Sequence, residues 1–90
     1  MMINVREALG ENFAIEDAIL LRDQIKENLN EEVVLDFEGL DKVPTTFLNC
    51  LFSELINEKG RKAIFEAVNV KNLTNYKDFS RVVMGTTFLN

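Results

Sequence analysis

The chain has 90 residues, 47% hydrophobic and 28% charged, with one proline and four glycines; a chain this short buries only about 60–65% of its unfolded surface and supports one core, so 1–90 is read as one domain. Cys50 has no intramolecular partner, and the absence of histidine excludes the usual zinc sites and the Ser/His and Cys/His catalytic sets. The net charge is −5, with eleven of the acidic residues in 1–45, and the only compact basic group is Lys59, Arg61 and Lys62, which argues against nucleic acid as a partner.

The opening "MMINVREALG" meets an acidic residue at Glu7 and has no long apolar run, so neither a signal peptide nor a membrane span is expected, and the protein is read as cytoplasmic. "MINV" predicts a short first strand, and "REALGEN" a connection leading to a helix. Ala14, Ala18, Leu21, Ile25 and Leu29 recur every three or four residues and lay one apolar stripe along that helix. Val33, Val34, Leu35 and Phe37 then form a nearly unbroken apolar run, the pattern of a central strand covered on both faces.

Pro44 lacks a backbone donor and holds Val43 extended, so the strand cannot pass through it. A second helix starts just after, with Phe47, Leu48, Leu51, Phe52, Leu55 and Ile56 on a wide apolar face and Gly60 as its stop. "RKAIFEAVN" is read as the next strand, and Asn69 as the cap of a third helix carrying Val70, Leu73, Tyr76, Phe79 and Val83 up to Gly85. The order β-α-β-α-β-α predicts an α/β fold: a small, mostly parallel sheet of three or four strands with about three helices. The pentapeptide "TTFLN" occurs at 45–49 and again at 86–90; the first copy opens a helix after Pro44, while the second, after Gly85, is read as a short edge strand.

"VVLDFEGLDKVPTTFLNCLFSELINEKGRKAIFEAVN" resembles the STAS superfamily of sulphate-transporter and anti-sigma-factor-antagonist domains, and more closely the compact bacterial STAS-like domains of undefined function. The resemblance runs from about the first strand to Val83. It implies a non-enzymatic signalling domain that binds a protein partner, such as a regulatory kinase or an anti-sigma-like protein, through the turn before the second helix. It also implies a phosphorylated hydroxyl at that turn, whose position falls on Thr46, with Thr45 just before it. Pro44 stands where those antagonists carry an acidic residue and Phe47 where they carry glycine.

Two roles compete for the threonines. A phosphate would add about −1.5 to −2 charge beside a helix amino end that favours anions, opposed by nearby Glu38 and Asp41. The plainer role is a hydroxyl cap, worth about 1 kcal/mol. Asp36 would need an acidic pair from the first strand to act as a metal-dependent phosphoacceptor, and "MINV" has none, so it is read as bonded to loop amides where the strand runs out. Cys50 is read as a small buried apolar residue, and Lys71, Lys77 and Arg81 as the wet side of the third helix.

The partner surface expected is Asp41, Lys42, Thr45 and Thr46 with Asn49, Ser53 and Asn57 on the outer side of the second helix. No catalytic residue, metal or cofactor is expected. The alternatives are self-association through residues 86–90 added to a sheet edge, giving a homo-oligomer, and a small-molecule or nucleotide sensor.

Overall fold

The computed structural model describes residues 1–85. Three strands, β1 (Met2–Asn4), β2 (Val33–Asp36) and β3 (Val68–Lys71), form a parallel sheet in the order β1-β2-β3. The first crossover contains α1 (Val5–Leu9) and α2 (Ile15–Glu27), the second α3 (Thr45–Lys59) and α4 (Arg61–Ala67), and α5 (Tyr76–Met84) follows β3. Crossovers of one hand between strands added in one direction carry every connection to the same side of a sheet. The α/β class and the three-stranded parallel sheet agree with the pattern in the sequence; the helices number five among the described residues, and the edge strand expected at 86–90 lies outside them.

The register shows which side is covered. Ile3 lies opposite Leu35, which lies opposite Val70, and Val33 lies opposite Val68. Four of these five are buried, and Val70 is half-buried. On the other side the row Met2, Val34, Asn69 runs from 56% exposed through half-buried to exposed, and Lys71 beside it is exposed. Asp36, on the same side as Val34, is buried, but among the described residues no helix layer covers that side, so the central strand is covered by helices on one face and not on both.

Residues 61–67 are helical, where the sequence reads as a strand. Gly60, at φ 89°, ends α3 and lets α4 begin at once in a new direction. Ala63 and Ala67 are strong helix formers, and Ile64 is the one buried residue of α4, a stripe too thin to be recognised by periodicity. The strand begins only at Val68, so Asn69 lies inside β3 and its side chain bonds Glu32 instead of capping a helix; Lys71 likewise belongs to β3 and not to α5. The amino end of α5 falls at Asn75. Upstream, "REALG" closes into α1 because the Asn4 side chain accepts from the Glu7 N–H at 3.0 Å.

One core joins these elements. Phe37, Phe52 and Phe79 are fully enclosed, and Phe52 meets Phe79 edge-on at 5.4 Å, tying α3 to α5. Ala18, Leu21 and Ile25 of α2 pack into the same core, and Arg22–Glu54 at 2.9 Å and Lys26–Glu58 at 3.0 Å stitch the outer rim of the α2–α3 seam. Among the described residues no helix is long and apolar enough to cross a membrane. Phe52→Ala should lower the unfolding free energy by about 3–5 kcal/mol in urea denaturation, because the ring is fully enclosed and meets Phe79 of α5, and the surrounding core cannot close the gap completely.

Candidate functional site

The site is built from the carboxyl end of β2, the turn 37–44 and the amino end of α3. At the strand end Asp36 is only 8% exposed, and one carboxylate oxygen accepts from the Asn72 amide at 2.9 Å and from the Glu38 N–H at 3.0 Å. These two bonds, the Asn72 side chain first, hold its pKa below the ordinary carboxylate value; nearby Lys71 adds to the effect and desolvation opposes it. Asp36 thus pins the start of the turn to the loop after β3, the bonding to loop groups that its position in the sequence suggests. The chain then bends at Gly39, whose φ of 84° favours glycine and over which the Arg6 side chain lies so closely that an added Cβ would stand 2.6 Å from Nη1.

The far end of the turn is held by Asn75. Its Oδ1 accepts from the Val43 N–H at 3.0 Å, and its Nδ2 donates to the Val43 carbonyl at 2.7 Å and to Asp78 at 3.0 Å. The side chain satisfies both backbone groups of Val43 as a neighbouring strand would, just before Pro44. Pro44 occupies the cap position, and neither Thr45 nor Thr46 caps α3 through its hydroxyl. Both threonines lie inside the first turn, one and two residues past the cap position, so neither hydroxyl has the cap geometry.

Asp41, Lys42, Thr45, Thr46, Asn49, Ser53 and Asn57 are all exposed. The last five lie on the outward side of α3, where the Ser53 hydroxyl donates back to the Asn49 carbonyl one turn earlier. Successive helical residues diverge by about 100°, so the two threonines face different neighbours. Thr45 and Asn49 border a cleft of about 490 Å³ with Arg61 of α4 and Asp78, Arg81 and Val82 of α5. There Arg61 donates to the Val82 and Val83 carbonyls at 2.8 and 3.0 Å, and Arg81 stands 3.6 Å from Asp78. Thr46 borders a groove of about 190 Å³ on the other flank, walled by Phe13, Ala14, Ile15, Phe47 and Cys50. Phe13 meets Phe47 edge-on at 5.0 Å, and Cys50 is half-buried against the core. A larger concavity of about 600 Å³ lies at the opposite end of α3, bordered by Lys26, Leu29, Lys59 and Ile64, some 20 Å from the threonines at helical rise.

The arrangement presents a rigidly held turn, a polar helix face and two unlike flanks. Arg61, Arg81 and Asn75 join the threonines only through α4 and α5 packing; the sequence signal for Asn75 was the Asn-Tyr-Lys-Asp start of α5, where Asn and Asp three residues apart suit a helix amino end. Residues 17–77 match a family model described as a STAS-like domain of unknown function (DUF4325). No curated protein and no solved structure gave a match to this chain.

Two outcomes test the turn. Because the folded pKa of Asp36 is depressed, its stabilisation is fully present above the unfolded value of about 4 and is lost as pH falls through the folded value. The stability difference between the wild type and Asp36→Asn should therefore be constant above about pH 5 and shrink in more acid solution, as read by denaturant titrations across pH. Asn75→Ala should cost about 1–3 kcal/mol and speed amide exchange at Val43, whose N–H loses its acceptor.

Proposed function

The chain belongs to the family of STAS-like domains of unknown function, and from the exposed amino end of α3 we propose that it is a non-enzymatic regulatory domain that binds a protein partner of the regulatory-kinase or anti-sigma class. The observation that supports this reading is the continuity of the surface: the turn residues Asp41 and Lys42, both threonines, and Asn49, Ser53 and Asn57 are all exposed and lie on a frame held from both ends by Asp36 and Asn75. A preorganised polar surface of this kind loses little conformational freedom on binding.

The unlike flanks of α3 separate the threonines as switch positions. A phosphate on Thr46 would set about two negative charges on the lip of the groove walled by Phe13, Ala14 and Ile15, where a partner's apolar side chains could no longer dehydrate it without cost. A phosphate on Thr45 would face Arg61 and Arg81 and be paired within the domain. Thr46 is thus the position whose modification opposes binding, as the family resemblance implies.

Affinity capture from host lysate, with wild type, Thr45→Glu and Thr46→Glu as baits and mass spectrometry of what is bound, tests the reading. A partner is expected with the wild type and with Thr45→Glu and is expected to be lost with Thr46→Glu. The same partner with all three baits would keep the binding and sink the switch; bait alone in every lane would sink the binding.

A further inference from the structure

The outer face of α2 carries three large apolar side chains that the core does not use: Ile15 is 64% exposed, Leu20 58% and Ile19 39%. Helical spacing places Ile15 and Ile19 one turn apart on the α3 side, continuous with the groove beside Thr46, while Leu20 projects farther outward. Glu16, Asp23 and Glu27 stand four residues before, three after and seven after Leu20, on the same outward side, and all three are exposed. None of the three is in an ion pair among the described residues, whereas the basic residues of this helix, Arg22 and Lys26, are engaged by Glu54 and Glu58 of α3. The face is therefore apolar and anionic together, about 20 Å long over the 13 residues of α2.

These charges select the occupant. A second copy packed α2 against α2 would bring the same unpaired carboxylates against each other, since the basic residues of α2 are already engaged by α3. A membrane surface rich in anionic lipid would repel them. We propose that the outer face of α2 is a docking surface for a cationic amphipathic helix of a protein partner, whose apolar residues cover Ile15, Ile19 and Leu20 and whose lysines or arginines meet Glu16, Asp23 and Glu27. Its apolar anchors at three- and four-residue spacing would run along α2 for about three turns. The surface lies on α2 and does not depend on either threonine of α3.

The test uses the isotope-labelled full chain and two synthetic helical peptides of about eighteen residues, each with leucine along one face, flanked in one by lysine and in the other by glutamate. The lysine peptide should bind and move the amide resonances of 15–27, and raising the salt concentration should weaken it. Ile19→Ser with Leu20→Ser should weaken it about tenfold with every charge retained, and Glu16→Gln with Asp23→Asn and Glu27→Gln should weaken it with every apolar residue retained. All five positions are exposed, so both variants should keep the wild-type fold, seen in unchanged resonances of the core. Absence of lysine-peptide binding, resonance changes confined to residues outside α2, or equal binding of the glutamate peptide would overturn the proposal. Concentration-dependent dimerisation abolished by the Ile19/Leu20 variant would overturn it in favour of a second copy.

Discussion

The arrangement of the helices depends on the sheet having a single covered face. With the strands laid down as β1-β2-β3, both crossovers return over the same side, and Ile3, Val33, Leu35 and Val68 are buried there. A three-stranded sheet is narrow, so helices confined to one side must stand shoulder to shoulder. α3 follows the central strand and stands between α2 and α5, which it touches through the Arg22–Glu54 and Lys26–Glu58 seam on one side and Phe52–Phe79 on the other. The two clefts beside the threonines are the gaps that this crowding leaves at the amino end of α3.

Hydrogen bonding does at the turn what packing does elsewhere. Phe37 still donates its N–H to the Lys71 carbonyl of β3 at 2.9 Å, but beyond it the backbone of residues 38–44 lies outside the sheet ladder, and its polar groups need partners. Asp36 and Asn72 answer at one end, and Asn75 answers both groups of Val43 at the other. Asn72 itself sits at φ 58°, a left-handed conformation that asparagine tolerates better than most residues, which aims its amide at Asp36. Side chains from the loop after β3 thus position the turn after β2, and the surface before α3 is tied to α5 through Asn75.

Charge divides the surface into regions of different character. The outer side of α3 near its amino end is polar with little net charge, the Thr45 flank carries two arginines already engaged within the domain, and the outer side of α2 carries unanswered carboxylates around exposed aliphatic residues. A partner recognising α3 by hydrogen bonds and one recognising α2 by apolar contact and charge would meet adjoining surfaces, because the Phe13–Ile15 groove touches both helices.

What the sequence determined by itself is what short-range physics encodes. The apolar periodicity of α3, the β-branched run of β2, the stops at Gly60 and Gly85, and the helix start after Pro44 are all local, and each stands where the sequence places it. The polar stripe of Asn49, Ser53 and Asn57 was legible for the same reason, as the residues left over when the apolar face is assigned. Local rules failed where two outcomes were nearly equal in propensity: "RKAIFEA" can be helix or strand, and only the geometry after Gly60 and the burial of Ile64 in the core made it α4. Tertiary structure alone decided that among the described residues the helices cover one face of β2, that Pro44 and not a threonine occupies the cap, and that Thr45 meets arginines while Thr46 meets phenylalanine and isoleucine. Those facts depend on which elements become neighbours in space, and that is set by the summed burial of the whole core, which no window of a few residues contains.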